Sequence, residues 1–157
     1  MTNRFAFAQR LPCKIDWHRI VLLPITIVAI AGSASGVRAD DMYNPIRLPG
    51  SNEISDTLSE QDIPTGQGGF ARDYIVTLQE GDQVAIDLLS DSFDTIVALI
   101  APDGTTIAEN DDGPDGSTNS LLFSRITQGG DYIVRVRAFG EGGTGNFTLK
   151  VTRLRPI

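Results

Sequence analysis

DYIVRVRAF, residues 131–139, alternates apolar and polar side chains without a break. Tyr132, Val134 and Val136 point one way while Ile133, Arg135 and Arg137 point the other, the period of a strand with one buried face. The same reading extends outward in both directions. In RDYIVTL, Tyr74, Val76 and Leu78 share a face, and in QVAIDLL so do Val84, Ile86 and Leu88. TIVALIAP is nearly all apolar, as a strand buried on both faces would be, and Pro102-Asp103-Gly104 turns it into TTIAE. SLLFSRI and NFTLKVTRL complete the set, the latter with Phe147, Leu149 and Val151 inward. About seven to eight strands recur at a spacing near 10 residues, with no helical stripe. The pattern implies an all-β fold, a single antiparallel β-sandwich.

The first 39 residues read differently. Arg4, Arg10, Lys14 and Arg19 precede an apolar run from Ile20 to Gly32, and small residues lead to Val37-Arg38-Ala39. This is the order of a secretory signal peptide cleaved after Ala39. The run is about 13 residues, where a spanning helix needs roughly 20, so no stable membrane span is expected after cleavage. Residues 40–54 hold two prolines and no periodicity and read as an N-terminal arm or linker, which leaves 55–157 for the sandwich. Location follows: secreted or periplasmic.

Cleavage changes the chemistry on offer. The whole chain carries 13 basic and 20 acidic residues; without the leader 8 and 19 remain, a net charge of −11 over 118 residues. Cys13, Trp17 and His18, each the only residue of its type, leave with the leader. Internal disulfides, Cys or His nucleophile–base chemistry and Cys/His zinc sites are thereby excluded. The acidity argues against nucleic acid, whose phosphates require a basic patch. No G-x-S-x-G motif occurs, and Ser90, Ser92 and Ser120 have no histidine to activate them. Adjacent aspartates in a glycine loop are poor material for an acid–base pair, so no enzymatic activity is expected.

The acidic loop AENDDGPDG, residues 108–116, admits two readings. Asp94, Asn110, Asp111, Asp112 and Asp115 are oxygen donors of the kind Ca²⁺ collects. EF-hand spacing fails, since counting from Asp111 puts Gly113 and Leu122 where donors are needed. Alternatively, Asp and Asn bond their own backbone in tight turns, with Gly113 and Gly116 taking positive φ. A binding surface is a further candidate. Arg135, Arg137 and Lys150 would share a sheet face if the last two strands pair, with Tyr43, Phe70 and Phe139 near strand ends. The plainer expectation is that Phe70 and Phe139 finish the core and the cations balance nearby acids.

One ordered set of short motifs resembles the bacterial pre-peptidase C-terminal domain family. They are Asp73-Tyr74, Glu80-Gly81-Asp82, Ser90-Asp91-Ser92-Phe93-Asp94-Thr95, Pro102-Asp103-Gly104, Asn110-Asp111-Asp112, Gly130-Asp131-Tyr132 and Gly145-Asn146-Phe147-Thr148-Leu149, spread over roughly residues 55–153. The resemblance implies a jelly-roll-like sandwich serving as a non-catalytic appendage of exported hydrolases. It also implies binding to an extracellular polymer, polysaccharide or protein such as collagen, and calcium in some members. A chain of 118 residues leaves no room for a peptidase domain, so the expected role is a binding or accessory module. The alternative is an envelope-associated structural protein that assembles with an envelope protein and is stabilised by calcium. The calcium segment that relatives carry before their first strand is represented here only by Glu53 and Asp56 and is not transferred; Asp73 is kept as a candidate.

Overall fold

The structure, a computed structural model, describes residues 43–66, 68–114 and 116–154. The expected signal peptide and Asp115 lie outside the described residues. Among the described residues ten strands form two sheets: β1 (Ile46–Arg47), β2 (Glu53–Leu58), β3 (Ile63–Pro64), β4 (Phe70–Leu78), β5 (Gln83–Leu89), β6 (Thr95–Ile100), β7 (Thr106–Asn110), β8 (Ser120–Arg125), β9 (Gly130–Ala138) and β10 (Gly145–Leu154). One sheet has six strands in the order β1-β4-β9-β6-β7, with β3 also on β4; the other has four, β2-β10-β5-β8. Among the described residues no helix is long and apolar enough to cross a membrane.

The alternating runs place the core as expected. Tyr74, Val76, Leu78, Val84, Ile86, Leu88, Tyr132, Val134, Val136, Phe147, Leu149 and Val151 are all buried between the sheets. Tyr74 from one sheet meets Phe147 from the other edge-to-face, ring centres 6.1 Å apart, and Phe93 meets Phe147 at 6.3 Å. Such pairs add about 1 kcal/mol each to the burial of the rings. Strand β6 is buried from Thr95 to Leu99, on both faces. Its outward residues Ile96 and Ala98 stand opposite Arg137 and Arg135 in register, so long side chains flank them while their charged heads reach acids.

Two regions depart from the sequence reading. Within the stretch expected as an arm, Ile46 and Arg47 pair in parallel with Tyr74 and Ile75, the one parallel ladder among the described strands. Leu48 follows into the core and donates its N–H to the Ile75 carbonyl at 2.9 Å. A two-residue strand has no period to read. β2 begins at Glu53, still inside that stretch, and pairs with β10 along Glu53–Leu58. Its inward positions are Ile54, Asp56 and Leu58, and the carboxylate in the middle disguises the alternation. Asp56 is held at the end of the sandwich by the Tyr74 hydroxyl, 2.8 Å away, and by the Arg72 guanidinium.

Candidate functional site

A concavity lies on the outer face of the four-stranded sheet, and its wall is built by the serine-rich turn after β5. Ser90 organises that turn. Its backbone N–H donates to Asn119 Oδ1 at 2.9 Å, and its Oγ accepts from the N–H groups of Ser92 (3.0 Å) and Phe93 (3.3 Å). The same hydroxyl donates to the Asn146 carbonyl at 2.8 Å, fastening the turn to β10. At Gly145, where φ is 136°, an added Cβ would fall 2.3 Å from Ser92 Cβ. Only glycine lets the two segments approach this closely. Behind the turn, Thr95 and Ser120 hydroxyls meet at 2.6 Å, both buried.

The result is a groove of about 730 Å³ bordered by Leu89, Ser90, Asp91 and Ser92 on one side and floored by β2 and β10. Ser55 and Thr148 hydroxyls bond across the floor at 3.1 Å, and Thr57 donates to Asn146 Oδ1 at 2.7 Å. The lining is mostly neutral and polar: hydroxyls that donate and accept, and amide groups with N–H donors. Leu89 is the exposed apolar member of the lining, 49% exposed, whereas Phe147 beneath is buried. Further along the same outer face, Phe123 is 62% exposed.

Both outer strands of this sheet have backbone groups that are already occupied. On β2, the Thr57 N–H donates to the Asp56 carboxylate at 2.8 Å and its carbonyl accepts from Arg72 at 2.7 Å. On β8, the Leu121 N–H donates to the Asp112 carbonyl at 3.1 Å, and the Leu121 carbonyl accepts from the Asn110 side-chain amide at 2.8 Å. Such plugs obstruct pairing with a foreign strand.

Four of the five oxygen-donor residues singled out in the sequence lie among the described residues. Asn110 uses its amide to hold the loop, donating to the Asp112 carbonyl at 2.7 Å as well as to Leu121. Asp111 and Asp112 are exposed, and Asp112 contributes its backbone carbonyl. Asp94 is exposed at the start of β6, where its carbonyl accepts from the Phe139 N–H at 2.7 Å. Asp115 lies outside the described residues. Among the described residues no group of three or more acidic, His or Cys side chains is gathered tightly enough to hold a metal ion.

Asp73 has an assigned partner: its wholly buried carboxylate takes two 2.8 Å hydrogen bonds from Arg135 Nε and Nη2. Burial of the Tyr43 ring, and then the Asp73 charge beside it, raise the Tyr43 hydroxyl above its ordinary pKa. Arg137 pairs with Glu109 at 2.6 Å and Lys150 with Glu53 at 3.6 Å. The cations do balance nearby acids. They do not share a face, however, because β9 and β10 belong to different sheets. Phe70 packs against the core as expected, whereas Phe139 is 58% exposed; alternation along β9 turns it outward. Leu89 and Phe123 were not singled out by sequence, although both fall on outward positions of their strands.

A second polar network closes the sandwich beside the groove. Arg72 Nε lies 3.2 Å from Asp56 Oδ2, near enough for charge attraction but out of line for a hydrogen bond, and Arg72 Nη1 lies 3.3 Å from Asp62. Burial, then the bond to Asp56, push the Tyr74 hydroxyl far above the usual phenol range. Tyr74, Asp56, Arg72 and Asp62 are thereby engaged with one another.

Comparison with known proteins agrees with this architecture. The family model of the bacterial pre-peptidase C-terminal domain matches residues 70–138. The chain is similar in structure to the pre-peptidase C-terminal domain of collagenase from Bacillus anthracis, with 12% identity and a TM-score of 0.54 over 69% of this chain and 95% of that one. It is also similar to Aeromonas hydrophila PliG, a periplasmic lysozyme inhibitor of g-type lysozyme, with 14% identity and a TM-score of 0.52 over 71% and 96%. No curated protein matches the chain by sequence. Residues 70–138 thus match the bacterial pre-peptidase C-terminal domain in sequence, and the sandwich built around them matches that domain in fold.

Proposed function

We propose that the protein is a non-catalytic recognition module acting outside the cytoplasm, secreted or periplasmic. It holds an extracellular polymer, polysaccharide or protein, in the groove on the outer face of the four-stranded sheet. The observation that carries this reading is the groove itself: about 730 Å³, lined mainly by hydroxyls and amides, with the Asp56 and Asp91 carboxylates and the half-exposed Leu89. Convergent polar groups beside an apolar surface are what a binding cleft requires. Ser90 is taken up in its turn, and Asp56 by Tyr74 and Arg72, which supports binding over chemistry. PliG, a fold neighbour named for inhibiting a lysozyme, is support for a sandwich of this kind serving protein recognition.

The test is retention of the purified protein on insoluble polysaccharide, on collagen and on immobilised envelope proteins, with Ser55→Arg alongside. Ser55 is exposed on the groove floor, so arginine there fills the groove without entering the core. Retention that Ser55→Arg abolishes is the expected result. Equal behaviour of the two proteins on every ligand would overturn the groove as the binding site.

A further inference from the structure

Resting on the groove as the binding site, we infer that its occupant is a basic segment of a partner protein, extended along the groove with an apolar residue seated on Leu89. Charge carries the inference. One outward row beyond the groove floor, Glu53, Lys150 and Asp87 stand side by side on β2, β10 and β5, so one cation, paired with Glu53 at 3.6 Å, lies between two acids. Beside it, Arg72 serves both Asp56 and Asp62. Asp91, exposed on the serine turn, adds another carboxylate at the groove border. With the Asp62 that shares Arg72, the groove and its neighbouring row carry about three negative charges beyond their cations Lys150 and Arg72, which are already engaged. Among the described residues Arg125 is the cation that no carboxylate reaches. It sits opposite Gln83, six residues along β5 from Leu89, or about 20 Å away. It is too distant to neutralise the groove at physiological ionic strength.

Three features narrow the occupant. A neutral polysaccharide would gain nothing from the carboxylates, and an anionic one would be repelled. A second copy of this acidic chain would bring the same charge to the same place. Strand addition is obstructed at Thr57 and Leu121, whose backbone groups are taken by Asp56, Arg72, Asn110 and Asp112, so the partner meets the sheet's face. Leu89, flanked in sequence by Asp87 and Asp91, supplies the apolar anchor around which charges steer the encounter.

The experiment is selection of a random decapeptide library on the immobilised purified protein. Enriched sequences are expected to carry Lys or Arg around a Leu, Ile or aromatic residue. Their affinity should fall about tenfold or more in Leu89→Ala and severalfold in Asp91→Asn. It should also weaken as ionic strength rises from about 0.05 M to about 0.5 M. Glu80→Gln, in the turn at the opposite end of β5, should bind as wild type does. Enrichment of neutral or acidic sequences, or groove-dependent retention of polysaccharide with no peptide selected, overturns the basic partner and leaves the groove standing. Basic peptides that bind Leu89→Ala and Ser55→Arg as tightly as wild type overturn the groove as well.

Discussion

Replacing Arg135 with alanine strands the Asp73 carboxylate, and the size of the loss follows from where each partner's atoms lie. The Asp73 side chain is wholly buried and receives two 2.8 Å charge-assisted bonds, whereas the Arg135 side chain remains 34% exposed. Removing one member of a buried pair costs about 3–5 kcal/mol; the access of Arg135 to water places this pair at the lower end, about 3 kcal/mol. The reverse change, Asp73→Ala, leaves a guanidinium that can turn to solvent and should cost only about 1–2 kcal/mol. The double variant should lose less than the sum, because no stranded charge remains. Urea unfolding of the four proteins, monitored by tyrosine fluorescence, measures the cycle. Equal losses for the two single variants, or a loss below about 1 kcal/mol for Arg135→Ala, would refute the asymmetry and with it the structural role assigned to Asp73.

Three other outcomes are expected. The Tyr74 hydroxyl ionises well above its unfolded value, so its contribution is complete below pH about 10 and is lost as pH rises beyond it. Tyr74→Phe should lower the melting temperature at neutral pH, through the lost bond to Asp56, and flatten its alkaline decline; an unchanged decline would contradict this. Asn110→Ala, which removes two amide bonds to loop and strand carbonyls, should cost about 1–2 kcal/mol and by the same amount in EDTA and in millimolar calcium. A calcium-dependent rise in the wild-type melting temperature would favour the metal reading of the acidic loop. Gly145→Ala should destabilise by about 3 kcal/mol, from the positive φ and the clash with Ser92, and thermal melting would show it.

Much of the sandwich was legible because its long strands keep strict alternation. The inward faces of β4, β5, β9 and β10 can be read from Tyr74, Val84, Val134 and Leu149 without any tertiary information, and β6 declares its burial by having almost no polar residue. β1 and β2 were hidden for different physical reasons. Ile46 and Arg47 are too few to show a period, and Asp56 puts a carboxylate on an inward position that becomes tolerable only once Tyr74 and Arg72 reach it from the other sheet. The groove was less legible still. Ser55, Leu89, Asn146 and Thr148 come from three strands whose adjacency is a matter of sheet order, which local sequence does not encode. The supposed common face of Arg135, Arg137 and Lys150 failed on the same point. AENDDGPDG illustrates the limit well: composition suggested both ligand and turn, while its contacts to Leu121 depend on β8 lying alongside.

Hydrogen exchange of the free protein against the protein saturated with a retained ligand tests the recognition surface most directly. Slower exchange is expected around residues 53–58, 88–92 and 145–149, where β2, β5 and β10 border the groove. Protection confined to the six-stranded sheet, with these segments unchanged, would contradict the groove as the functional site.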